Sequence, residues 1–258
     1  MIEHTPLPIL TSVCVIFILP VVEPLKQNNK LPFVVNFLGS VVHLRLLVYP
    51  KSVFEYSTGP LIKSVPTPSS LYVVSGGEIE RALNAGPTGK DIIYAGVGKT
   101  DEELTYAIKT KIHCINVESQ SELTRINDIC EKLNTKQNIS LRVNPDVDAK
   151  THVKITTGKA ENKFGIEFDY IKSMYAIASE LPNVNIIGIS VHIGSQITNL
   201  KPFKKAFQII YDLINDLRGL GHKIKHVDLG GGLGVTYSDD DNVPTFKEYA
   251  SLIQSCSV

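Results

Sequence analysis

Residues 225–237 read KHVDLGGGLGVTY, a short apolar run that ends in three consecutive glycines, Gly230, Gly231 and Gly232. Each glycine loses more backbone freedom on folding than any other residue, so three together answer a geometric demand. One such demand is an anion, because bare amides at the C-terminal end of a strand can be aimed at phosphate oxygens. A tight loop is the plainer alternative. A dinucleotide turn fits less well, since GGGLG lacks the GxGxxG spacing and too little chain follows for a second half-fold. A second set of groups stands in VHIGSQI, residues 191–197. His192 follows an apolar strand, where an imidazole is either a satisfied core residue or a ring that stacks on a planar cofactor. Ser195 then places a hydroxyl in reach of the same phosphate.

Composition limits the partners. The chain has 258 residues, with 26 Lys and Arg against 26 Asp and Glu, and it has no basic tract. Nucleic acid is therefore not an expected partner. Cys14, Cys114, Cys130 and Cys256 are scattered, with no CxxC and no metal-ligand spacing, so no metal is expected. They fit a reducing, cytoplasmic setting. The apolar stretch at 7–22 has the look of a signal sequence or anchor. It falls short of a membrane span and lacks a basic n-region, so membrane attachment is not expected.

These groups need elements to carry them, and a repeating unit supplies those from residue 71. LYVVSGGEIERALNAG, DIIYAGVGKTDEELTYAIK and HCINVESQSELTRINDICEKL each join a short apolar run to an amphipathic helical pattern. The pairs Ser75 and Glu78, Thr100 and Glu103, and Ser119 and Glu122 read as three capping boxes, the signature of a helix start just after a strand. NISLRVNP, VNIIGISVHIGSQ and KIKHVDLGGG add three strands, and FDYIKSMYAIASEL and KPFKKAFQIIYDLINDLRGL add two helices. Six apolar strands alternating with helices imply a parallel sheet covered by helices, either a (β/α)8 barrel or a doubly wound sheet. Nearly every strand ends in polar or glycine residues, including Arg142-Val143-Asn144, which favours a barrel that gathers its strand ends at one site. The first seventy residues differ in kind: they hold nine of the fourteen prolines and eight of the fifty-two charged residues. The proline density there predicts no regular first barrel strand.

In order along the chain, VVSGGEIERALNAG, YAGVGKTDEEL, INVES, LRVNPDVD, ENKFGI, VHIGSQI and VDLGGGLGVTY resemble the diaminopimelate decarboxylase branch of the fold-type III pyridoxal phosphate group. The resemblance covers roughly residues 71–250. It implies an α/β fold, an incomplete (β/α)8 TIM-type barrel of the alanine racemase-like group. In that group the barrel is followed by a C-terminal β-domain and forms homodimers with shared sites. It also implies pyridoxal 5'-phosphate as cofactor, with His192 stacked on its ring and Arg142 near the ring. Ser195 and the amides of Gly230, Gly231 and Gly232 would hold the phosphate. The other reading of Arg142 is an ion pair inside the barrel. The implied reaction removes carbon dioxide from meso-diaminopimelate, a small amino acid, to give L-lysine. A non-catalytic partial barrel that binds a phosphorylated ligand or a partner is the alternative, with a sister-branch ornithine decarboxylase or racemase as a third.

The resemblance also names what is not matched. In the group the first strand ends in a Schiff-base lysine within a motif like YAVKAN, and the eighth carries a motif like EPGR. Neither is found here. Lys51, in LVYPKSVFEY, lies about the right distance upstream, but its neighbours differ, and Lys99 and Lys163 fall in other motifs. The expectation is therefore an atypical Pro-rich segment at 1–70, a partial pyridoxal phosphate-binding barrel at 71–258, no C-terminal β-domain, no assigned catalytic residue and no turnover by the chain as written.

Overall fold

In the computed structural model, nine strands and six α-helices are described, over residues 12–20, 42–49, 71–148, 164–236 and 242–256. Strands β1 (Ser12–Pro20) and β2 (Val42–Tyr49) precede β3 (Leu71–Val73) and helix α1 (Gly76–Asn84). Then come β4 (Ile92–Ala95), α2 (Asp101–Lys109), β5 (Cys114–Val117), α3 (Gln120–Lys132) and β6 (Gln137–Asn144). The two-residue β7 (Ile166–Glu167) leads into α4 (Phe168–Glu180) and β8 (Val184–Val191). Last are α5 (Leu200–Gly219), β9 (His226–Asp228) and α6 (Phe246–Cys256).

The strands run in the order β2-β1-β9-β8-β6-β5-β4-β3, all pairs parallel, with β7 pairing β6. The six strands expected from residue 71 onward are all present and parallel. The sheet is curled, as one contact shows: Asn116 of β5 bonds Asp228 of β9 although β6 and β8 lie between them. Among the described strands no pairing joins β2 to β3, so the structure is a partial barrel. Helices cover the outer face, where Leu104, Leu123, Ile171, Phe203, Phe207 and Tyr249 pack on the outward residues of the strands. The burial of these apolar groups is the main term favouring the fold.

The N-terminal expectation is corrected. Residues 1–70 do supply strands: Ser12 pairs His226 and Cys14 pairs Asp228, which seats β1 beside the strand that carries the glycines, and β2 lies outside β1. The reason lies in where the prolines fall. Pro6 and Pro8 precede β1, Pro20 is its last residue, Pro24 and Pro32 lie between the two strands, and Pro50 follows β2. The windows between them are mostly apolar and keep every ladder amide except that of Pro20, which falls at the end of β1. Much of the apolar stretch at 7–22 is thus a sheet strand. No described helix is long and apolar enough to cross a membrane.

The three capping boxes are corrected in part. Thr100 and Glu103 form the complete box: the Glu103 amide donates to Thr100 Oγ1 at 3.2 Å, and the Thr100 amide donates to Glu103 Oε2 at 3.1 Å. Ser75 and Ser119 do accept from the amides of Glu78 and Glu122. Their glutamates turn elsewhere, Glu78 to the Val74 amide and Glu122 into the interior. Helix α6 starts on a further box, Thr245 with Glu248, that the sequence reading did not single out.

Candidate functional site

The site forms where β8 and β9 end. Val191 delivers His192 and Asp228 delivers the glycine turn, and the Gly231 amide lies 3.4 Å from His192 Nδ1. The imidazole and the turn therefore share one small volume. The two loops that follow continue side by side: the Ile197 amide donates to the Gly232 carbonyl at 2.8 Å, and the Gly234 amide to the Ile197 carbonyl at 2.9 Å. Gln196 locks the pair, its carboxamide donating to the Val235 carbonyl and accepting from the Val235 amide, both at 3.0 Å. Gln196 itself sits at φ 56, a left-handed conformation that is rare for a residue with a side chain.

Two of the three glycines are required by geometry. Gly230 has φ +70 and Gly232 φ +99. A Cβ on Gly230 would overlap the Val191 carbonyl oxygen, and one on Gly232 would overlap the carbonyl oxygen of Gly194. The plain-loop reading explains the positive φ values. The close approach of the β8 loop explains why nothing larger fits. Gly232→Ala is therefore expected to push the two loops apart and weaken binding of any phosphate ligand at the turn at least tenfold, checked by titration with inorganic phosphate.

His192 is held neutral. Burial, helped by the positive charge of Arg142, pushes its imidazole down to about 4. Because the Gly231 amide points at Nδ1, the proton of the neutral ring belongs on Nε2. Ser195 is exposed on the same loop. Arg142, on β6, does form the ion pair, with its Nη1 2.7 Å from Glu118 Oε1 and both side chains mostly buried. Its Nε and the second Glu118 oxygen are buried without a partner among the described residues, so the pair keeps polar capacity for something further.

Two interior groups were not found from sequence. Asp228 accepts the Gly230 amide on Oδ1 and the Asn116 carboxamide on Oδ2, both at 2.8 Å. Burial pushes its carboxyl up to about 6, although the Gly230 and Asn116 bonds, Arg142 and the Tyr72 hydroxyl pull the other way. Lys99 is fully buried, with Nζ 2.7 Å from Glu122 Oε1 and 2.7 Å from the Asn116 carbonyl, and also on the Gly96 carbonyl. The signal that could have found Asp228 is period-two polarity within the strands: Asn116, Ser140, Arg142, Ser190, His226 and Asp228 occupy inward positions, whereas Lys99 lies in a loop and carries no such signal. Cys114, Cys130 and Cys256 are free and buried, and no metal-binding cluster occurs among the described residues.

A curled parallel sheet covered by helices, with a glycine turn, an imidazole and buried polar side chains at or near its strand ends, defines a protein of the parallel α/β barrel class. Comparison with known proteins narrows this class. The family described as "Pyridoxal-dependent decarboxylase, pyridoxal binding domain" matches residues 68–256, and the chain belongs to it. It is 48 % identical over 185 residues to diaminopimelate decarboxylase of Vibrio cholerae, and 48 % identical over 182 residues to that of Pseudomonas aeruginosa. These alignments take in 72 % and 70 % of this chain, and in both cases 44 % of the relative, so the chain spans less than half the length of these relatives. Among solved structures, diaminopimelate decarboxylase from Helicobacter pylori complexed with L-lysine superposes with a TM-score of 0.69 at 38 % identity, covering 73 % of this chain and 48 % of that one. The arginine decarboxylase of Paramecium bursaria Chlorella virus is more distant, at 26 % identity and a TM-score of 0.60, covering 72 % of this chain and 46 % of that one.

Proposed function

We propose that this chain carries the cofactor-binding half of a cytoplasmic, pyridoxal 5'-phosphate-dependent diaminopimelate decarboxylase, a carboxy-lyase that makes L-lysine. The observation behind the substrate is the 48 % identity to diaminopimelate decarboxylases, against 26 % to the structure of a sister decarboxylase. The residues present fit the cofactor. Gly230 and Gly232 leave backbone bare where any Cβ would collide, and a neutral imidazole stands beside them, suited to a pyridine face. His192 would stack on the ring, Ser195 would offer its hydroxyl to the phosphate, and Arg142 would lie near the ring while its charge is balanced by Glu118. The Gly230 amide is already bonded to Asp228 and the Gly231 amide points at His192 Nδ1, so the Gly232 amide is the one left to face the phosphate. Bound there, pyridoxal phosphate would supply the electron sink for loss of the carboxylate. As in the family resemblance, a homodimer would complete the site.

Binding and turnover separate in this chain. No lysine in the sequence stands in a YAVKAN-like motif. The Lys99 amine is committed to three acceptors in the interior. Lys51 and Lys163 lie outside the described residues. The expected result with the purified chain is saturable binding of pyridoxal phosphate, competed by inorganic phosphate, with no borohydride-reducible adduct on Lys99 and no carbon dioxide from meso-diaminopimelate. Absence of saturable binding would sink the cofactor reading. Lysine formed from meso-diaminopimelate would overturn binding without turnover, and an adduct mapped to Lys51 would identify the lysine responsible. Preference for ornithine would move the chain to the sister branch.

A further inference from the structure

We propose that Asp228 is the positioning residue of the glycine turn: its carboxylate, tied across the barrel to Asn116, fixes the Gly230 amide and thereby aims the amides that follow. This rests on the reading of the turn as a phosphate site.

Asp228 is 2 % exposed, and no water-facing role explains a carboxylate there. Both its oxygens are used. Oδ1 takes the amide of Gly230, two residues on, where the chain enters a left-handed conformation. Oδ2 takes the Asn116 carboxamide from β5, which is separated from β9 by two strands. Asn116 is itself anchored, since its main-chain carbonyl accepts Lys99 Nζ. A local Asp-to-amide bond would shape a turn in water equally well. What the barrel adds is a fixed origin: β4, β5 and β9 are linked through Lys99, Asn116 and Asp228 to a single amide. With the Gly230 N–H pinned, the peptide plane that enters the turn is fixed; the Gly231 N–H is then directed at His192 Nδ1, 3.4 Å away, and the Gly232 N–H follows from that start. Preorganised donors of this kind bind an anion without first being ordered.

The test uses three variants of the full chain, with pyridoxal 5'-phosphate and inorganic phosphate as probes. Hydrogen exchange is followed across residues 229–234, and thermal unfolding is recorded for each protein. Asp228→Ala removes both acceptors. Asp228→Asn keeps an oxygen for Gly230 and can donate to Asn116 Oδ1, an atom with no partner among the described residues, once that carboxamide turns over. Asn116→Leu removes the cross-barrel tie alone. The expected pattern is at least a tenfold loss of affinity for both probes in Asp228→Ala, with faster exchange at the turn. Asp228→Asn should restore affinity to within threefold of the parent, and Asn116→Leu should fall between. A filler role would be rescued by the isosteric Asn as well, but it predicts parent affinity in Asn116→Leu, which leaves the Asp228 side chain in place and removes only its bond. If the parent binds both probes and Asp228→Ala, still cooperatively folded, binds them equally well, the positioning role falls and the phosphate site stands. If Asp228→Asn folds but is as weak as Asp228→Ala, the acceptor geometry is not what matters and the proposal is overturned. A parent that binds neither probe removes the phosphate site and the positioning role with it.

Discussion

Lys99→Met is expected to lower the unfolding free energy by about 3–5 kcal/mol, the usual result of removing one partner from a buried ion pair. The side chains of Lys99 and Glu122 are 0 % and 4 % exposed. Deleting the ammonium leaves a carboxylate with no counter-charge, and it also strips the Gly96 and Asn116 carbonyls of a donor. Burial already pushes the Glu122 carboxyl above its ordinary value, and Lys99 offsets part of that. Without Lys99 the carboxyl rises further, so the folded variant takes up a proton that the unfolded chain does not hold. An acid with a raised folded pKa stabilises the fold at low pH and loses that contribution as pH rises. The deficit of Lys99→Met should therefore be largest at neutral pH and shrink on acidification. Urea unfolding of the parent and variant at two pH values measures this directly. The double variant Lys99→Met with Glu122→Leu should recover most of the loss, because two apolar groups replace two charges that cost free energy to desolvate. If the double variant is as unstable as the single one, packing and not the orphaned charge is responsible.

The ion pair also shows where sequence reasoning stops. Ser119 and Glu122 have the spacing of a capping box, and the helix does begin there. Spacing cannot say which way a glutamate turns. A cap and an interior partner ask for the same residue at the same position, and only the curl of the sheet, which brings Lys99 under α3, decides between them. The strands from residue 71 were legible because their apolar runs are bounded by caps and turns. Strands β1 and β2 were not, because a proline count over seventy residues averages away two windows that the prolines only bracket. Helix α6 follows a stretch with weak patterning and was passed over. In the candidate site, His192 and the glycines were legible because each stands at a strand end. Asp228 and Asn116 were hidden because they sit inside strands that read as apolar. Their meeting is a long-range event, 112 residues apart in sequence, that no local pattern encodes.

A carboxylate kept in that position should cost stability, and this gives the second large expectation: Asp228→Asn should be more stable than the parent at pH 7. Burial pushes the Asp228 carboxyl up to about 6 from an ordinary 3.8. The folded chain thus holds this proton more tightly than the unfolded chain does. Below pH 4 both states are protonated, and Asp228 adds no pH dependence. As pH rises from 4 to 6 the unfolded chain releases the proton first, and the stability of the fold falls. Above 6 the full cost is in place. At about 1.4 kcal/mol per pKa unit, the gap corresponds to roughly 3 kcal/mol. Asparagine cannot ionise, so Asp228→Asn should gain up to that amount at pH 7 and nothing near pH 4. Urea unfolding at these two pH values checks both the sign and the window. A variant less stable than the parent at both would mean that the two donors on Asp228 need the anion itself. In the expected case, the parent keeps a destabilising charge because the same carboxylate supplies the oxygen that holds the turn. Stability gained by Asp228→Asn alongside retained phosphate affinity would then mark the hydrogen-bond acceptor, and not the negative charge, as the feature the glycine turn depends on.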